Sequence, residues 1–182
     1  MAAVNLGQTG EAEVFDWVSW IPIKVNCFIW RLKQNRIPVH QNLTRRGINV
    51  GNTACHFCNQ EEEDIVHAFF QCSYAKKVWS WFGVWSKQGQ FSPSDFQSLM
   101  EMVCNGSRNK KTRKLNTALA YTVLWAIWKC RNEAAFKKKK PIDTMTAEEI
   151  QLSSFNWIRN RSKYTWLNWF DWCINPSLFC NM

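Results

Sequence analysis

Glycine and proline are scarce, at seven and five in 182 residues. So few turn-formers disfavour an all-β domain with many tight hairpins. The opening stretch, MAAVNLGQTGEAEVFDW, lacks a basic start followed by an apolar run, so no secretory signal is expected. The longest apolar run, ALAYTVLWAIW from 118 to 128, falls short of the about 20 residues that a membrane helix needs. No repeat of fixed period is visible. Charged residues make up only 20%, and with abundant aromatics this argues against disorder. These absences predict an intracellular protein, nuclear or cytoplasmic, with no membrane role. In a reducing compartment its eight cysteines should be thiols rather than disulfides.

What is present points to helices. Hydrophobic residues reach 46%, with twelve Trp and twelve Phe, enough for a sizeable core in one domain or a small subdomain joined to a larger one. Pro22 suits a helix start, and Val25, Phe28, Ile29 and Leu32 follow at helical spacing. Pro38 opens a second short helix that Gly47 can end as a left-handed cap. Ser73 and Ser94 are candidate caps for the next two helices. A long helix is predicted from Lys111 to about Lys139, with a broad apolar face that includes Leu115, Leu119 and Ala126. A last long helix is predicted from about Thr146 to Phe170. The expected fold is mostly α: a helical domain with an irregular zinc knuckle. Residues 14–90 would form the zinc-binding domain, and 91–182 a basic, Trp-rich helical region packed on it.

Charge is unevenly placed. Residues 1–107 carry nine Lys/Arg and nine Asp/Glu, whereas 108–182 carry fourteen and five. The whole excess of +9 therefore lies in the C-terminal part. Such asymmetry points to a polyanionic partner, most simply nucleic acid; a solubilising surface is the plainer reading. Arg108, Lys110, Lys111, Arg113 and Lys114 cluster at a helix start, where cations oppose the helix dipole. Phosphate contact explains them better than stability does. Lys137, Lys138, Lys139 and Lys140 lie at the opposite end, where cations suit the dipole, so phosphate binding has a stronger rival there. Trp157, Trp166, Trp169 and Trp172 interleave with Arg159, Arg161 and Lys163. They read either as stacking platforms for a single strand or, since positions 166, 169, 170 and 173 fall on one helix face, as part of a helix core.

The stretch CHFCNQEEEDIVHAFFQC holds Cys55, Cys58, His67 and Cys72 at C-x2-C-x8-H-x4-C spacing. Thiolate and imidazole are the donors of structural zinc sites. A C-x2-C turn offers two sulfurs to one ion, and the acidic QEEED run reads as a solvated loop that lets the second pair fold back. The alternative is four ordinary residues, since Cys is often buried and His67 adjoins Ala68, Phe69 and Phe70. His56 is expected to point away. Cys27, Cys104, Cys130, Cys173 and Cys180 read as small core hydrophobes.

Two blocks carry a resemblance: WIPIKVNCFIWRLKQNRIPVHQNLTRRGI, then CHFCNQEEEDIVHAFFQCSYAKKVW. Pro22, Lys24, Val25, Phe28, Trp30 and Arg31 fill one family motif. Pro38, Leu43, Arg46 and Gly47 fill a second, with Val39 where Thr is usual. Glu63, Phe69, Ala75, Val78 and Trp79 accompany the Cys and His residues. Over about residues 15 to 85 the chain resembles the reverse-transcriptase zinc-binding domain of plant LINE-type retroelements. The resemblance implies one zinc per chain and descent from the C-terminal end of a LINE polyprotein. No polymerase Tyr-x-Asp-Asp motif occurs. The carboxylates of the basic half, Glu133, Asp143, Glu148, Glu149 and Asp171, lack the strand pattern of a ribonuclease H site. A closed four-donor site leaves no position for water, so the zinc should be structural. The expectation is a non-enzymatic nucleic-acid-binding module, RNA or DNA. A domesticated protein-interaction module with a structural zinc is the alternative.

Overall fold

The computed structural model describes residues 15, 17–105, 109–138 and 142–180. The chain is mostly helical, and among the described residues there is no strand beyond one isolated bridge between Ala54 and Glu62. In order come α1 (Ile23–Lys33), α2 (His40–Arg45), a π-helical turn (His67–Gln71), α3 (Ser73–Trp85), α4 (Phe96–Asn105), α5 (Lys110–Lys137), α6 (Asp143–Arg161) and α7 (Trp169–Ile174), then a short 3₁₀ turn at Pro176–Cys180. Among the described residues no helix is long and apolar enough to cross a membrane.

The apolar periodicity in α5 explains its place. Leu115, Ala118, Leu119, Tyr121, Val123, Leu124 and Ile127 are all buried, so the helix is covered almost all round and acts as the central post. It packs against α1, α3, α4, α6 and the π-helical turn. One apolar cluster runs from Val18 through Trp79 and Leu119 to Trp172. Its large rings are tied by their polar edges. Trp79 Nε1 donates to the Phe69 carbonyl at 2.8 Å, and Trp172 Nε1 to Ser154 Oγ at 3.2 Å. A buried indole needs such a partner, because an unpaired N–H in the core is costly. Asn26, also buried, accepts from Val18 N at 2.9 Å and returns a bond to the Val18 carbonyl. That brace fixes the irregular lead-in over α1.

Pro22 is the N-cap residue of α1, and Gly47 follows α2 with φ of 76° as a left-handed end. Gly83 sits where α3 meets the return loop. A Cβ there would come 2.3 Å from the Gly89 carbonyl oxygen, so only glycine fits.

Several boundaries differ from the sequence expectation. Cys72, not Ser73, is the N-cap residue of α3. Asp95 rather than Ser94 caps α4: its Oδ1 accepts from Ser98 N at 2.8 Å while Ser98 Oγ accepts from Asp95 N at 3.0 Å. These two reciprocal bonds satisfy the open helix end. The bond from Ser98 N is the main cause that holds the Asp95 carboxyl below its usual range. The last long helix stops at Arg161, and α7 begins at Trp169. Asn168 caps α7 by accepting from Phe170 N at 2.7 Å. Position 166 lies between the two helices, so 166, 169, 170 and 173 do not share one helix face. Trp172 is buried, whereas Trp166 and Trp169 are exposed.

Candidate metal centre

The knuckle is built from a small hairpin and a widened helical turn. Cys55 N donates to the Glu61 carbonyl at 2.8 Å, and Glu63 N to the Thr53 carbonyl at 2.9 Å. These bonds close the loop that holds Cys55 and Cys58. Asn59 takes φ of 54° just after Cys58, and its N–H returns to the Cys55 carbonyl at 2.9 Å. This left-handed residue turns the chain sharply, so both sulfurs face inward. The second pair lies on the π-helical turn. Five residues advance about 500° along an α-helix, leaving His67 and Cys72 about 140° apart. The wider π turn instead brings Cys72 N to the His67 carbonyl at 2.7 Å, and the two donors end on one side. Such π turns recur at functional sites.

The four donor atoms of Cys55, Cys58, His67 and Cys72 all lie within 4.8 Å of one another. Cys55 Sγ and Cys72 Sγ are 3.9 Å apart, and Cys58 Sγ and His67 Nε2 are 3.4 Å apart. A tetrahedron built on zinc–sulfur bonds of about 2.3 Å has sulfur–sulfur edges of about 3.8 Å. The donor set and its spacing thus fit zinc. Cys55 Sγ donates to Cys72 Sγ. The Cys72 thiol, drawn down chiefly by its hydrogen bond with Cys55, falls to about 5, while that same bond and burial push Cys55 up. The backbone N–H groups of Phe57 and Cys58 also support the Cys55 sulfur. Outside the tetrad, His67 Nδ1 faces Glu61 Oε2 at 3.2 Å, within pairing distance though not aligned as a hydrogen bond. A carboxylate behind a metal-binding imidazole orients the ring and raises its basicity.

The acidic run is not uniformly solvated. Glu63 is 0% exposed, which corrects its reading as part of a solvent loop. Its Oε1 accepts from Arg131 Nη2 at 2.6 Å, from Arg131 Nε at 3.1 Å and from His40 N at 3.2 Å. Burial alone would raise the Glu63 pKa. The hydrogen bonds and charge of Arg131 outweigh burial and leave it lowered. His56 turns to His40, with ring centroids 4.5 Å apart, and burial, the largest effect, lowers its pKa. His40, His56 and Glu63 also bring three donor atoms within 4.8 Å. Arg131 already balances the Glu63 charge, so a cation there would have to displace a buried guanidinium. The trio with Arg131 is a polar latch between the knuckle, α2 and α5. Sequence reasoning missed it because Glu63 and Arg131 lie far apart in the chain, although Glu63 fills a family motif position.

The remaining cysteines Cys27, Cys104, Cys130 and Cys173 are free and half-buried. Of the basic candidates, Arg108, Lys139 and Lys140 lie outside the described residues. Lys110 and Arg113 are exposed at the start of α5. Lys111 and Lys114 are half-buried, with Nζ 4.5 Å from the Tyr164 ring centroid and 4.6 Å from that of Trp20. Lys114 Nζ also donates to Ser19 Oγ at 2.7 Å. Burial, aided by Lys110, lowers the Lys114 pKa. At the far end, Lys137 pairs with Glu133 at 3.4 Å, and Lys138 closes the helix with φ of 53°. The described members of the two clusters lie at opposite ends of the 28-residue helix α5.

No curated protein and no solved structure matches the chain. Residues 6–79, which carry all four donors, match the family described as zinc-binding in reverse transcriptase.

Proposed function

We propose that the chain is a non-enzymatic, zinc-stabilised module that binds nucleic acid and derives from a plant LINE-type retroelement. The observation that carries this reading is the gathering of cations at the start of α5, on a helix whose other end is braced to the knuckle through Arg131. The zinc, held by Cys55, Cys58, His67 and Cys72, would supply folding energy to the hairpin and the π turn. A closed tetrad of protein donors has no open position for a substrate, which supports a non-catalytic role. Two carboxylates of the basic half are engaged as well, Glu133 with Lys137 and Glu149 with Lys129.

Filter binding of RNA and of DNA at a series of salt concentrations tests the proposal. Each phosphate contact contributes about 0.7 to 0.9 to the slope of log affinity against log salt. Changing Lys110 and Arg113 together to Gln should flatten that slope by roughly 1.4 to 1.8, with zinc content unchanged. An unchanged slope in the folded double variant would reject this helix end as the phosphate-binding surface.

The second reading, a protein-interaction module, draws on a groove between α3 and α6 lined by Val78, Trp81, Val84 and Ala147, beside exposed Met145. An apolar interface of that kind would show little dependence on salt, and the chain would then retain neither RNA nor DNA at low salt.

A further inference from the structure

The break between α6 and α7 creates a feature that a continuous helix would not have. Residues 162–168 swing Tyr164 onto the start of α5, next to Trp20 of the irregular lead-in, and set Trp166 against Tyr164. Trp20, Tyr164 and Trp166 then form a chain of edge-to-face rings. Trp20 and Tyr164 have centroids 6.1 Å apart at 89°, and Tyr164 and Trp166 are 6.2 Å apart at 81°. Lys114 sits over the first ring and Lys111 over the second. Trp166 remains 49% exposed at the outer end, and Trp17 is 56% exposed on the lead-in.

The three segments that carry these rings and the two lysines hold charges of one sign. The segments 17–24, 109–119 and 159–168 contain no Asp or Glu, yet they carry Lys24, Lys110, Lys111, Arg113, Lys114, Arg159, Arg161 and Lys163. Asp171 lines the small cleft that Trp166 shares with Leu167 and Trp172, and so bounds the ledge on that side. Crowded cations at a helix N-terminus repel one another and oppose the dipole. A polyanion relieves both. Core packing accounts for buried Trp20 and Trp172 but not for Trp166, whose side chain is half in solvent. Exposed rings set among cations are the means by which proteins hold unpaired bases, since every base offers a π face and every phosphate a charge. A duplex keeps its bases stacked on each other and can use only the cations.

We infer that the ledge formed by Tyr164, Trp166 and the first turn of α5 is a single-strand binding site, with a base stacked on Trp166 and phosphates on Lys110, Arg113 and Lys163. This rests on the nucleic-acid reading above and names its substrate class: single-stranded RNA or DNA rather than duplex.

The test uses the zinc-loaded full chain and a labelled 15-nucleotide RNA of mixed sequence, the DNA of the same sequence, and the duplex of each, read by fluorescence anisotropy. Single strands should bind more tightly than duplexes, and the RNA and DNA arms show which sugar is preferred. Trp166→Ala should weaken single-strand binding roughly five-fold or more, leave duplex binding unchanged and leave the salt slope unchanged, because no charge is lost. Trp166→Leu fills the same space without a π face and should show the same loss. Trp166→Phe should restore most of the affinity. Lys163→Gln should instead flatten the slope by about 0.7. Equal affinity for single strand and duplex overturns the ledge while leaving nucleic-acid binding standing. So does unchanged single-strand binding in a Trp166→Leu chain with native zinc content. Failure of the unmutated chain to bind any of the four probes overturns both.

Discussion

The knuckle and the α5–α6 pair are held together by different physics. In residues 53–72 the turn is set by four donor atoms, a short hairpin and one buried ion pair. Around α5 the fixing agent is area: Leu115, Leu119, Leu124, Ile127, Ile150 and Ile158 are fully buried. A set of donors is all-or-none, because three ligands do not hold a metal three-quarters as well. An apolar face is graded, and each lost methylene costs about 0.8 kcal/mol. The two regions should therefore fail differently.

The largest expected effect separates them most sharply. Structural zinc in small modules carries about 10–16 kcal/mol of apparent binding energy at neutral pH. Cys58→Ser, or prolonged chelation, should release the metal and open residues 53–72 to protease. Native mass spectrometry showing no zinc in the unmutated chain, or identical melting of Cys58→Ser, would remove the contrast. Next comes the contact that joins the regions. Arg131→Met leaves Glu63 buried without its partner and should cost about 3–5 kcal/mol in chemical denaturation. Changing Glu63 to Gln in the same chain should recover part of that, since no buried charge remains. A single Arg131→Met change that leaves stability intact would mean that Glu63 is not held as described. Smaller still, Leu119→Ala should cost about 2–5 kcal/mol through transfer and cavity, with full zinc content. Zinc loss in that variant would show that the regions are not separable.

Much of this contrast was legible in the residues. The spacing of Cys55, Cys58, His67 and Cys72 picked out the four side chains that the structure gathers, and the apolar periodicity of 115–130 marked the central helix. Pro22 and Gly47 marked helix limits, because their backbone preferences are local. Glu63 was not legible as a buried group. A run of four acids looks like solvent-facing charge, and the arginine that draws one inside lies in a distant helix. The end of α6 at Arg161 also escaped notice. No proline or glycine falls between Ser162 and Asn168, so the break carries no local signal. The helical spacing of positions 166, 169, 170 and 173 suggested continuity instead. The shift of the α4 cap from Ser94 to Asp95 is of another kind, since both residues suit that role and only the register of the first turn decides.

The bond between Glu63 and Arg131 also bears on the autonomy of the matched segment. Residues 6–79 carry the complete tetrad, but Arg131 lies well beyond them. A chain cut after Trp79 would keep all four members of the tetrad and lose the cation that makes a buried carboxylate tolerable. It would also strip α5 from Phe28 and Phe69, whose rings pack on Trp128. The boundary of sequence similarity is thus not a boundary of folding. The knuckle is a guest on α5, and transplanting it means carrying that helix along.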